Sequence, residues 1–185
     1  INKTLKSIFK EKYIQTLNEL CGGESLLVIA CFGPGDEIRF ASLYNKLIEV
    51  APLSNIAITC DPRLHGLLQR SYNKIKFIPV ARIRDYKLLD NFEKYDQLPS
   101  SDLNSMLDNV GWNASLNYQK VMLVTDFLGD VLLDRTSFNG ERYLYADPVR
   151  KDHWQERVLK LNEGKKIVGI SWRSSLVTKV RNEHY

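Results

Sequence analysis

The chain has 185 residues, 44% of them hydrophobic and 26% charged, with a formal net charge of +4. That length sets a prior of one domain or slightly more, able to bury roughly 70% of the surface its unfolded chain exposes, so neither disulfides nor a metal are needed for folding. The composition excludes disorder. No apolar run approaches the ~20 residues of a membrane span, so no membrane span is expected. The first residues, Ile1-Asn2-Lys3-Thr4, carry no secretory signal. Ile1 stands where an initiator Met would be, which reads as a piece of a longer chain.

The charge is uneven. Residues 150–185 carry nine Lys/Arg against four Asp/Glu, and the preceding residues net −1. The basic excess is small and lacks interleaved Arg and exposed aromatics, so nucleic acid is not expected as a partner; a phosphate-bearing small molecule suits it equally well. The cysteines, Cys21, Cys31 and Cys60, are odd in number and form no C-x-x-C pair. They read as reduced, mostly buried thiols of a cytoplasmic protein.

Residues 2–20 read as an amphipathic helix. Leu5, Ile8, Phe9, Tyr13, Leu17 and Leu20 recur at three and four, and Gly22-Gly23 stop the pattern. Residues 1–24 thus form an amino-terminal helical segment. Ser25 to Phe32 is a continuous apolar run ending in glycines, the signature of a buried strand. A glycine-rich turn follows, then helical periodicity from Asp36 to Val50. Asn55 to Cys60 is a second strand, and Asp61-Pro62 start a helix running to about Arg70. Lys74 to Val80 is a third strand, ended by its proline.

Strand and helix therefore alternate over residues 25–80, which predicts an α/β fold with a Rossmann-like parallel sheet flanked by helices. Beyond it the spacing predicts a short helix over Ser101–Asn109, a strand over Val121–Val124 and a helical turn over Phe127–Leu133. Asp147-Pro148 open a further helix to about Leu161, and Lys166 to Trp172 read as another apolar strand. The expected organisation is a Rossmann-like domain over 25–142, a linker helix over 143–165 and the start of an incomplete second domain over 166–185. The strand at 166–172 either folds inside this chain or pairs with another copy in a homo-oligomer.

Ligands of open parallel sheets bind outside the carboxyl ends of the strands. One loop there is Gly33-Pro34-Gly35-Asp36-Glu37. Its glycines let a ligand approach the backbone, and the helix behind it offers amide donors. As a dinucleotide fingerprint it lacks the third glycine, which is Ile38, and its two acids would repel a pyrophosphate. Asp36 could instead serve as a general base, or simply as a helix cap. A second loop, Ser171-Trp172-Arg173-Ser174-Ser175, offers a guanidinium fork and hydroxyls suited to phosphate, or is a solvated basic tail. There is no P-loop, no D-x-D, no H-E-x-x-H and no G-x-S-x-G. His65, His153 and His184 are far apart, so no metal site is expected.

Four collinear runs carry a resemblance. Gly33-Pro34-Gly35-Asp36-Glu37-Ile38-Arg39-Phe40-Ala41-Ser42 is similar to a G-x-G-D-E-I-x-F-A-S run in the glycosyltransferase-like domains of tetratricopeptide-repeat proteins. Thr59-Cys60-Asp61-Pro62-Arg63-Leu64 resembles their C-D-P-R-L run, and Tyr143-Leu144-Tyr145-Ala146-Asp147-Pro148 their Y-L-x-A-D-P run. Val168-Gly169-Ile170-Ser171-Trp172-Arg173-Ser174 resembles V-G-I-S-W-R-x-G, with Ser175 where relatives carry a glycine-bearing loop. That family is similar to heptosyltransferases and O-linked N-acetylglucosamine transferases, which share the two-domain GT-B fold.

The resemblance implies the amino-terminal, acceptor-binding half of a metal-independent glycosyltransferase. Its partners would be a nucleotide-sugar donor and an unknown acceptor, with no other cofactor. It implies Asp36 as the catalytic base, Gly33, Gly35 and Glu37 at the acceptor, and Ser171, Arg173 and Ser174 at the donor. The chain stops at Tyr185, where the donor domain should begin, so by itself it is expected to be inactive. Two rival readings stand beside this one: a non-enzymatic Rossmann-like binding or scaffold module of a repeat protein, and a dinucleotide-binding domain.

Overall fold

The structure is a computed structural model describing residues 1–83, 92–131, 140–162 and 165–170. Two compact units divide it, residues 1–146 and residues 147–185. The first holds a four-stranded, wholly parallel sheet flanked by helices, the expected Rossmann-like arrangement. Its strands are β1 (Leu26–Ile29), β2 (Ile56–Cys60), β3 (Ile75–Pro79) and β4 (Lys120–Leu123), in the order β3-β2-β1-β4. Leu26 pairs with Ile56 on one side and Lys120 on the other. Pro79, which has no N–H for a ladder, ends an edge strand opposite Cys60.

The two faces explain why these strands read as unbroken apolar runs. Leu26, Val28, Ile56, Ile58 and Met122 point to one core, while Leu27, Ile29, Ala57, Val121 and Leu123 point to the other. On the first face lie α2 (Pro34–Ala41), α3 (Tyr44–Val50), α4 (His65–Ser71) and α6 (Val124–Val131), through Ala41, Leu47, Leu68 and Phe127. On the second lie α1 (Asn2–Phe9) and the stretch leading into α5 (Asn109–Leu116), through Leu5, Phe9, Met106 and Leu107. The central strands β1 and β2, with no polar face to present to water, alternate between two cores, whereas the edge strand β3 turns Lys76 to solvent.

Several expected elements take different bounds. The amino-terminal helix stops at Phe9, because Lys10 adopts φ 47° and ψ −121°, a conformation glycine reaches more readily. Tyr13 then pairs beside Val121, and the Ile14 amide donates to the Val121 carbonyl at 2.9 Å. The segment thus runs along the β4 edge like a short strand. The helix expected from Asp36 to Val50 is two helices. At the break the Ser42 hydroxyl donates to the Arg39 carbonyl at 2.7 Å, competing with the helical ladder.

Asp61 caps the turn ahead of α4, its carboxylate accepting from the Arg63 amide at 3.0 Å. The helix expected at Ser101–Asn109 is one tight turn at Ser101–Leu103, and the true helix begins where the expected one ended. Asp108 sets that start: its carboxylate accepts from the Gly111 amide at 3.0 Å and the Ala81 amide at 2.8 Å, fastening α5 to the chain leaving β3. Of the expected Phe127–Leu133 turn, the described part belongs to α6. Of the cysteines, Cys60 is buried, Cys31 half-buried and Cys21 exposed, so the expectation of burial fails at Cys21; none forms a disulfide.

Near the end of the first unit, the Tyr145 amide donates to the Ser71 hydroxyl at 3.0 Å and Arg70 Nε donates to the Tyr145 carbonyl at 3.0 Å. This fastens the 143–146 run along α4. In the second unit, α7 (Pro148–Asn162) is capped by Asp147, which accepts from the Arg150 amide at 3.0 Å. Residues 166–170 form no strand among the described residues, and Ile167, Val168 and Ile170 are exposed. The strand expected at 166–172 is therefore not formed in its described part: an apolar run becomes a strand only when a neighbouring backbone pairs with it.

Candidate functional site at the carboxyl edge of the sheet

The chain leaves β1 for β2 and β3 on one side and returns as β4 on the other. The strand order therefore reverses beside β1, and the loop after β1 opens at the position where open α/β sheets bind ligands. That loop is the one singled out by its glycines. Gly33 caps α2 with φ −70° and Pro34 sits in the first turn, where its missing N–H costs nothing. Neither Gly33 nor Gly35 has a positive φ. A Cβ on Gly33 would meet Asp36 Oδ2 at 3.8 Å, and one on Gly35 would meet nothing within 4 Å. Local packing and backbone conformation thus give no reason for glycine here, and what the two residues leave is bare backbone at a helix start.

Three carboxylates and three arginines gather around this edge, and their burial differs. Asp36 lies in the first turn of α2, with Oδ1 3.1 Å from Arg39 Nη2, and its side chain is 47% exposed. It is the carboxylate a solvent-borne molecule can reach. Glu37 is its opposite. Its side chain is 1% exposed, Oε1 stands 2.6 Å from Arg82 Nη2, and Oε2 accepts from the Asp61 amide at 2.8 Å. Burial pushes the Glu37 carboxyl up, against the pull of the Arg82 guanidinium. Glu37 and Arg82 thus form an enclosed ion pair.

Asp61 closes the end of β2. Arg63 grips it with both arms of its fork, Nε to Oδ1 and Nη2 to Oδ2, each at 2.9 Å. These bonds hold the Asp61 carboxyl below its usual range. Thr59 seals the strands beneath, its hydroxyl accepting from the Ala30 amide at 2.9 Å. Beside the loop, Phe32 and Phe40 meet edge to face at 5.4 Å, and the Arg39 guanidinium lies 5.6 Å from the Phe40 ring centre.

The expected site residues therefore divide. Gly33, Gly35 and Asp36 share the open cap and first turn of α2. Glu37, expected at the acceptor, sits behind the loop with its carboxylate enclosed. Ser171, Arg173 and Ser174 lie outside the described residues. His65 is half-buried on α4, while His153 is exposed on α7 with its ring edge-on to Trp154. No group of three or more His, Cys, Asp or Glu among the described residues could hold a metal ion. Sequence reasoning missed Arg82; its one signal is an arginine directly behind an apolar strand, at Val80-Ala81-Arg82.

The fold class this defines is α/β with a Rossmann-like parallel sheet. No family model, no curated protein and no solved structure matches the chain.

Proposed function

We propose that the chain is the acceptor-binding side of a metal-independent glycosyltransferase, moving a sugar from a nucleotide-sugar to an acceptor hydroxyl. The observation that carries this reading is the placement of Asp36: a half-exposed carboxylate in the first turn of α2, beside bare glycine backbone, where the strand order reverses. The four motif resemblances supply the choice of chemistry.

In this reading Asp36 accepts the proton of the acceptor hydroxyl. The acceptor oxygen bonds to the sugar's anomeric carbon as the bond from that carbon to the diphosphate oxygen breaks. The leaving nucleotide diphosphate takes the electron pair, and Arg173 with the Ser171 and Ser174 hydroxyls stabilises its growing charge. Glu37, being enclosed, holds the loop instead of touching the acceptor.

The test is calorimetry on the full-length natural protein, against UDP-, GDP- and ADP-sugars, with NAD as control. Binding that weakens in Arg173→Ala supports the reading and names the donor. Transfer lost in Asp36→Asn with binding kept places the base. A folded protein that binds no nucleotide-sugar moves the assignment to a scaffold module, and binding of NAD alone moves it to a dinucleotide domain.

A further inference from the structure

Arg82 leaves the end of β3 and reaches back under the loop that follows β1. Its side chain is 2% exposed. Nη1 donates to two carbonyls at the end of the β1 run, Ala30 at 2.7 Å and Phe32 at 3.0 Å. Nη2 stands 2.6 Å from Glu37 Oε1, and Glu37 Oε2 accepts from the Asp61 amide at 2.8 Å. One guanidinium thus grips the backbone just before Gly33 and, through Glu37, the helix just after Asp36.

A buried ion pair is poor ground for stability, since apolar residues of similar volume often serve as well or better. The arrangement has a geometric use instead. A planar fork can serve two carbonyls and a carboxylate at once, and a lysine ammonium cannot reproduce that fixed geometry. We infer that Arg82 is a positioning residue: it holds the backbone from Ala30 to Glu37 from both ends, so that Asp36 is presented on a rigidly seated loop and first turn of α2. The inference rests on the reading of Asp36 as the base. Arg82 itself is enclosed and touches no substrate.

The test is Arg82→Lys in the 185-residue chain, read by backbone ¹⁵N relaxation. In the parent, Gly33, Gly35 and Asp36 should show order parameters near about 0.85, and in the variant these should fall toward about 0.6 while Ile56 and Lys120, at the amino ends of β2 and β4, keep theirs. A folded variant whose loop stays as rigid as the parent's overturns the inference. Should Arg82→Lys fail to fold, Arg82→Met combined with Glu37→Gln removes both buried charges, and the same loop signals decide. The parent gives an independent reading: the Arg82 Nη protons should be shielded from water, and exchange at the solvent rate overturns the inference whatever the variants do.

In the full-length natural protein, with whichever UDP-, GDP- or ADP-sugar binds, Arg82→Lys should lower kcat by about tenfold or more and leave the donor KM within about twofold. An unchanged kcat on a loosened loop overturns the positioning role. A loosened loop in a protein that binds no nucleotide-sugar sinks the transferase reading alone, and Arg82 remains the residue that orders the loop.

Discussion

The Tyr13 hydroxyl donates to the Asp126 carboxylate across 2.5 Å, and the same carboxylate accepts from the Asn2 side chain at 3.0 Å. One helical turn on, Asp130 accepts from the Leu17 amide at 2.5 Å. Two acids on α6 therefore fasten the amino-terminal segment to the sheet, along the edge where Tyr13 pairs with Val121. Hydrogen bonds to a charged group contribute about 1.5–3 kcal/mol, so Tyr13→Phe should lower stability by about that much. The check is a double-mutant cycle with Asp126→Ala, followed by urea midpoints. The two losses should fall short of adding; strict additivity would mean that the pair is not coupled.

How far such relationships are legible depends on what sets them. The first two strands are readable because burial on both faces demands continuous apolar runs, and the third because Ile75, Phe77 and Ile78 keep that character at the sheet edge while Lys76 faces out. The amino-terminal segment misleads because Tyr13, Ile14 and Leu17 keep a helix-like spacing while the sheet edge decides their burial: Tyr13 joins one core, Ile14 and Leu17 the other. The helix at Asn109–Leu116 escapes because its start is set by Asp108 binding the Ala81 amide, a contact made across the fold. At the site, Asp36 is visible from the glycines around it. The enclosure of Glu37 is not, because its partner Arg82 arrives only once β1, β2 and β3 lie side by side.

Two glycines on consecutive helices should answer the same substitution with opposite signs. A Cβ on Gly111 of α5 would stand 2.9 Å from Leu107 Cδ2 and 3.0 Å from Val80 Cγ2. Both side chains are fully buried and have little room to yield. Overpacking of this kind costs about 1–3 kcal/mol, more than the ~1 kcal/mol that alanine gains over glycine inside a helix. Gly111→Ala should therefore destabilise by about 1 kcal/mol. Gly129 of α6 is exposed, and a Cβ there meets nothing within 4 Å, so Gly129→Ala should keep its helix gain of up to about 1 kcal/mol. Thermal melts of the two variants against the parent decide the matter, and a shift of the same sign in both would show that the Val80–Leu107 seat is not tight.

Stability should decline on the alkaline side for a reason lodged in the core. Tyr13, Tyr44 and Tyr72 are all buried, and burial, ahead of any neighbouring charge, pushes each phenol well above its ordinary value. Burial likewise pushes the Cys60 thiol up to about 12. These groups become anionic on losing a proton, and the fold holds the proton longer than the unfolded chain does. Above the unfolded values, about 8.5 for the thiol and about 10 for the phenols, the unfolded chain binds fewer protons than the folded one. Stability must then fall as pH rises, in full below about pH 8 and declining more steeply beyond about pH 10. Each group contributes at most about 1.4 kcal/mol per pH unit. Urea midpoints taken between about pH 8 and pH 11 should trace this slope, with the tyrosinate absorbance of the three buried phenols appearing together with unfolding instead of ahead of it. Tyr72, whose hydroxyl donates to the Ala41 carbonyl at 2.5 Å, supplies the control. Tyr72→Phe should be less stable at neutral pH for want of that bond, yet lose stability less steeply in alkali. An alkaline slope equal to the parent's would mean that the Tyr72 phenol ionises as readily in the fold as outside it.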